Sequence, residues 1–424
     1  MSTQVPSPPS GGYISAVRES ARRVRTNTNI SITSDAIKRF LFSASFTSTF
    51  ARLRTAHGMA LPLKFPSVIT ELNLLCTISL LNFASGYRVP LHEATGRGAF
   101  DSIRAVVFSM YISADIEGDL LSAQGMQSIK AGKVAELMSV ADKIYQERPH
   151  ETIPAVMVGE LAGPIWEVVQ LVTNVLNETG SVLVKGGYPN LGAFVLEALK
   201  EGDKVKERDS DVDPECDVIL ERLVKAIPAF QDMALVEGEP VYCFKKALLT
   251  MHAIALRFGS ATPHPFPIPR TAHLPIFSDN VIPSLLVHLG VIDLSTSKSS
   301  LGLSSIFPEV NKENIDALLD ALPPPSEESK GNRAETVLKE GPILTVEQAF
   351  ALRAAAIDAC ELIIETARNL GSEELEANAK GSESLEWLKE ITLPELDAWI
   401  WAVAKDRSDY RQLERFVLRG TPYF

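Results

Sequence analysis

The stretch Phe277-Ser278-Asp279-Asn280-Val281-Ile282-Pro283-Ser284-Leu285-Leu286-Val287-His288-Leu289-Gly290 reads as a helix with both ends marked. Ser278, Asp279 or Asn280 can cap its N-terminus, and Gly290 supplies a left-handed stop. Pro283 fits only in the first turn, where its missing N–H removes no helical hydrogen bond. Ile282, Leu285, Leu286 and Leu289 form one apolar stripe, which predicts a packed helix. Asp279 then lies at the mouth of a buried helix, beside Phe277 rather than among charges. Those residue types leave two readings open. Asp279 is a helix cap, or it is a carboxylate placed to oppose positive charge on a substrate.

Outward from this helix, most of the chain carries helical patterns. Ile14 to Arg25 is short and basic, with Arg18, Arg22, Arg23 and Arg25 on what reads as a solvated face. A second helix begins near Ser34, and 44–59 is weakly patterned. Ser67 to Asn82 is apolar nearly all round and belongs in a core. Residues 102–180 read as mostly helical, with Leu161 to Asn177 the clearest helix. Phe194 to Lys200, Cys216 to Ile227 and Ala247 to Phe258 follow. Thr345-Val346-Glu347-Gln348 and Thr392-Leu393-Pro394-Glu395 are capping boxes opening two late helices. Strand signals are sparse, so the expected fold is mainly α, a single helical domain with at most a small hairpin near 86–100. Residues 1–13 read as a disordered tail, 14–424 as the domain, and 294–341 as a mobile insertion around Pro323-Pro324-Pro325.

Composition excludes several functions. The 424 residues are 46% hydrophobic and 22% charged, ordinary for a globular protein. A net charge of −12 argues against a surface that tracks polymeric nucleic acid, which needs a basic stripe. The four cysteines are far apart with no CxxC, so reduced thiols are expected rather than a zinc site. The histidines of 259–275 suit no metal motif, and no metal or other cofactor is expected. The most apolar run, Leu72 to Phe83, is too short to span a bilayer. A cytoplasmic protein with no membrane partner is the expectation, with a nuclear or organellar location left open, and the sequon Asn177-Glu178-Thr179 is not expected to carry glycan.

Candidate binding groups cluster in a few places. Asn82, Phe83 and Ser85 emerge where the core helix ends, in a loop that runs to Gly96-Arg97-Gly98. Lys245 and Lys246 sit on a mostly apolar helix, where they either snorkel to solvent or bind an anion. Arg353 lies inside an Ala-rich helix. Asp397 and Trp401 are four apart and share a helix face. At such a position a tryptophan is more often core than ligand contact.

Six segments in order resemble the queuosine salvage proteins: Val17-Arg18-Glu19-Ser20-Ala21-Arg22, Leu81-Asn82-Phe83, Leu176-Asn177-Glu178-Thr179-Gly180, Phe244-Lys245-Lys246-Ala247, the Asp279 helix with its Val287-His288-Leu289-Gly290 end, and Leu396-Asp397-Ala398-Trp399-Ile400-Trp401. The resemblance runs from about residue 14 to the C-terminus. It implies a helical fold similar to helix-hairpin-helix DNA glycosylases. It also implies hydrolysis of queuosine 5′-monophosphate, a small nucleotide, to release queuine for tRNA modification. In that reading Asp279 is the catalytic carboxylate with Phe277 beside it. Lys245, with Lys246 and then Arg353 as the next basic candidates, meets the phosphate. Asn82, Phe83, Ser85, Asp397 and Trp401 meet the substrate. The sequence departs from the family in having Asn280 and Val281 where an aromatic and a basic residue often follow the aspartate. Segments 259–275 and 294–341 also look lengthened.

Overall fold

The computed structural model describes the chain except residues 1–4, 56–60, 151, 154, 207–212, 322–337 and 380–383. It is mainly α, with two small antiparallel hairpins among the described residues. The expected single domain divides into two compact units, each assembled from segments distant in sequence. No linker marks the division because the chain passes between the units several times.

The first unit comprises Met1–Ala60, Met233–Leu248 and Arg270–Val417. Its centre is the Val346–Arg368 helix, opened by the expected capping box: Thr345 accepts from Gln348 N–H, and Gln348 accepts from Thr345 N–H. Small side chains at Ala354, Ala355 and Ala356, all buried, let neighbours approach closely. Packed on it are the helices Tyr13–Asn27, Ser34–Leu41, Val281–His288 and Leu393–Asp406 and the strand Met233–Val236. The basic face of the Tyr13–Asn27 helix is not simply solvated. Arg22 and Arg25 both pair with the buried Asp358 of the central helix, and Arg18 pairs with Glu361 at 2.6 Å. The weakly patterned 44–59 contains the helix Ala44–Leu53. It is held by an aromatic cluster of Phe40, Phe46, Phe50, Trp387 and Trp399, with Trp399 donating to Thr49 Oγ1 at 2.8 Å.

Two segments expected to be mobile are partly packed. Pro6 O accepts from the Tyr242 hydroxyl at 2.8 Å, so part of the tail is tied down. In the insertion, Lys312–Asp320 is a helix, and Leu301, Leu303, Phe307 and Leu319 are buried. These apolar residues are too widely spaced to make a visible stripe, and Phe307 packs against the His288 ring. The triple proline lies outside the described residues.

The second unit comprises Leu61–Asp232, Leu249–Pro269 and Leu418–Phe424. Its core helix, Val68–Leu80, is buried without a break from Leu72 to Leu80. Asn73 inside it donates to Leu121 O at 3.1 Å and accepts from Gly192 N–H at 3.0 Å. The Gly163–Lys185 helix packs on Ala123–Ser128. Gly180 makes that possible, since a Cβ there would stand 2.3 Å from Gln127 N. Asn177 donates to the carbonyls of Met126 and Ile129, so the sequon asparagine is spent on packing.

No hairpin forms near 86–100, where Arg88–Thr95 is helical and Gly96 stops it with φ 69°. The hairpins are Tyr145–Pro149 with Met157–Leu161 in the second unit and Met233–Val236 with Glu239–Tyr242 in the first. Neither shows the apolar/polar alternation that marks a strand in sequence: Tyr145–Pro149 and Met157–Leu161 are exposed throughout, and Met233–Val236 is apolar at every position. Among the described residues no single helix is long and apolar enough to cross a membrane. All four cysteines are free and buried.

Candidate active site

The Asp279 helix runs Val281–His288, and all eight residues are buried. Its C-terminus closes as expected on Gly290 at φ 71°, with Val291 N–H bonding Leu286 O. At the N-terminus Asp279 acts as the cap. Its Oδ1 accepts from the N–H groups of Val281 at 2.7 Å and Ile282 at 3.3 Å, so the residue caps the helix. Oδ2 accepts no hydrogen bond from any described residue. A carboxylate fixed through one oxygen thus presents the other, at the positive end of a helix.

The loop before it is fixed on both sides. Phe277 N–H donates to Asp397 Oδ2 at 2.7 Å. Ser278 is clasped by Arg353, whose Nε donates to Ser278 O at 2.9 Å, while Ser278 Oγ donates to Arg353 O. Arg353 is fully buried with its guanidinium over Phe350. Through its bonds to Ser278 it holds the loop before Asp279.

Asp397 and Asp279 form a carboxyl pair across this loop. Burial pushes the Asp397 carboxyl up to about 7, and the charge of Asp279 adds to the rise. The Phe277 N–H and the Lys245 ammonium pull against it.

Lys245 and Lys246 do not snorkel. They are 4% and 0% exposed. Phe244, just before them, holds φ 47°, a left-handed conformation uncommon for a bulky residue. Stacking of Phe244 on Tyr13 and Tyr242 keeps it there. Such strain costs on the order of 1–3 kcal/mol and concentrates at functional sites. Trp401 is only half-buried, with Lys405 Nζ 3.2 Å from its ring centre, while Trp399 is the core tryptophan.

Asn82, Phe83 and Ser85 belong to the second unit. They form a tight turn in which Ala84 takes φ 80° and Ser85–Tyr87 a 3-10 helix. Phe83 is buried, and the Ser85 hydroxyl oxygen is buried with no hydrogen-bond partner. The turn is anchored by Tyr87, whose hydroxyl donates to Glu167 at 3.1 Å and accepts from Gly420 N–H at 2.9 Å.

Residues 133–316 match the family model described as queuosine salvage protein. It is the family the six segments resemble. A search of curated proteins returned no match for the chain. The family segment includes Lys245, Lys246, Phe277 and Asp279. Asn82, Phe83, Ser85, Arg353, Asp397 and Trp401 lie outside it.

One charged residue near Asp279 escaped the sequence reading. Arg415 sits in 413–417, which has no regular structure, and no motif points to it. The available signal was polar rather than basic. Asn280, Ser284 and His288 recur every four residues on an otherwise apolar helix, a row that needs polar partners. Among the described residues no group of His, Cys, Asp and Glu has the arrangement of a metal site.

Proposed function

We propose that the chain hydrolyses the N-glycosidic bond of queuosine 5′-monophosphate and releases queuine. The observation that carries this reading is the divided carboxylate of Asp279: one oxygen is fixed in a helix cap and the other accepts nothing from the described residues. Cleavage of such a bond passes through a cation-like sugar, and a fixed carboxylate stabilises that charge and can orient water. The C1′–N bond breaks with its electron pair going to the base. Water adds its oxygen to C1′ and loses a proton, and the departing base gains one.

The leaving group is a 7-deazaguanine, with carbon where guanine has N7. Protonation at that position cannot help it leave, so assistance comes from hydrogen bonds elsewhere on the base. Asp397, its carboxyl raised to about 7, keeps a proton on the acidic side of neutrality. It therefore adds little negative charge beside Asp279 there, and it fixes the loop through Phe277. Lys245 is the ammonium we assign to the 5′-phosphate, as a buried point charge suited to that group. Trp401 offers an aromatic face for the base, with Lys405 on one side of the ring.

The test is incubation with the nucleoside, its 5′-monophosphate, and tRNA carrying the modified base, followed by chromatography for free base. Release from the monophosphate is expected. Release from tRNA alone, or from none of the three, rejects this function.

A further inference from the structure

We propose that Arg415 is a positioning residue for the reaction at Asp279, held beside the aspartate by a polar row on the helix that Asp279 caps. The inference rests on the function proposed above. Three side chains of that row grip one short segment. Asn280 Nδ2 donates to Phe416 O at 2.8 Å. Ser284 Oγ accepts from Phe416 N–H at 3.1 Å. His288 Nε2 lies 2.9 Å from Glu414 O. Their spacing of four residues places them on one face of the helix, so 414–416 runs along it.

The segment is held on its other side as well. Val417 N–H bonds Pro342 O, and Leu344 N–H bonds Val417 O, each at 2.8 Å. Gly341 closes the seat, since a Cβ there would meet Arg415 O at 2.1 Å and its carbonyl carbon at 2.6 Å. Backbone this constrained fixes where the Arg415 side chain starts. Its far end is fixed too, by Arg415 Nη2 donating to Ala404 O at 2.8 Å at the C-terminal end of the Leu393–Asp406 helix. Asp279 is next to Asn280 in sequence and Arg415 next to Phe416, so each residue lies one position from the Asn280–Phe416 bond.

Their interaction is visible from the arginine. Burial lowers the Arg415 guanidinium to about 10 and Arg411 lowers it further, while Asp279 pulls it back up. At neutral pH it remains a cation. A carboxylate with only two backbone donors on one oxygen gains a compensating charge that does not occupy its free oxygen. Arg415 thus supplies a fixed positive charge to the surroundings of Asp279, with its Nη2 donating to Ala404 O rather than to the aspartate. Asp397, with Lys245 behind it, faces the same loop from other elements.

Two measurements test this. The first is steady-state hydrolysis of queuosine 5′-monophosphate by wild type, Arg415→Met and Arg415→Lys. Expected is a fall in kcat of roughly ten- to a hundredfold for Arg415→Met, typical of groups that support a catalytic side chain. KM should stay within about twofold of wild type, since the residue touches no substrate. Arg415→Lys should recover a large part of kcat. Should Arg415→Met fail to fold, Arg415→Gln, which keeps a donor for Ala404 O, takes its place. The second measurement is a double-mutant cycle on unfolding midpoints with Asp279→Asn and the Arg415 variant, which needs no substrate. Non-additive shifts are expected. Additive midpoints, or a kcat loss that lysine does not relieve, overturn the positioning role. Coupled midpoints in a protein that releases no base from any substrate would instead reject the function and leave the charge pair standing.

Discussion

Asp279 ties Oδ1 to two backbone N–H groups, so its geometry survives replacement by asparagine, which caps equally well. Asp279→Asn should therefore keep wild-type folding and substrate binding while turnover falls by roughly a hundredfold or more. A melting curve and single-turnover base release check both halves. Asp397 makes a pH-dependent contribution whose sign is fixed by the direction of its shift. Its folded value of about 7 exceeds its ordinary 3.8, so the folded state holds more protons between those pH values. Stability should then fall as pH rises from about 4 to about 7, by up to about 1.4 kcal/mol per unit, and level off above. His288, lowered chiefly by burial, acts with the opposite sign, losing stability as pH falls below its ordinary 6.5. Asp397→Asn removes only the first effect, so the variant should gain stability over wild type at pH 8 relative to pH 5. Denaturant titrations at the two pH values measure it. Lys245→Ala should lower kcat/KM on the monophosphate far more than on the nucleoside. An unchanged ratio between substrates would place the phosphate elsewhere.

The Val281–His288 helix does two jobs that its sequence hides in one pattern. Its apolar residues bury it against the Val346–Arg368 and Leu393–Asp406 helices, and its polar row holds 414–416. Ser284→Ala strips the buried Phe416 N–H of its acceptor and should cost about 1–3 kcal/mol, read from the shift in denaturant midpoint. The insertion behaves as an element too. Deleting 298–338 should lower the melting temperature, because it removes the buried Leu301, Leu303, Phe307 and Leu319. Phe307, 7% exposed and against the His288 ring, tests it singly. Phe307→Ala should lower stability by roughly 3 kcal/mol, visible as a drop in melting temperature.

For the whole molecule the governing quantity is charge. With 41 Lys and Arg against 53 Asp and Glu, the protein repels a polyanion at long range. A single buried ammonium can still bind one phosphate, because its field acts at short range in a poorly screened site. The expected consequence is discrimination by size. The monophosphate should be processed, and tRNA should not bind appreciably even at low salt, as electrophoretic retardation would reveal.

The sequence by itself determined the helices and their ends. Capping boxes at Thr345 and Thr392, the stop at Gly290 and the all-round apolar run at 67–82 are local features, set by hydrogen bonds and periodicity within a few residues. It also marked Asp279, Lys245 and Asp397, by position and by resemblance. What it left undecided was who faces whom. The roles of Arg353 and Arg415, the partition into two units and the packing inside 294–341 depend on contacts between distant segments. Arg353 also clamps the loop through Ser278 O, a role that only the tertiary contacts reveal. Arg415 shows no motif at all. Its place beside Asp279 is fixed by a row of three side chains more than a hundred residues upstream, a relation that no local window of sequence can hold.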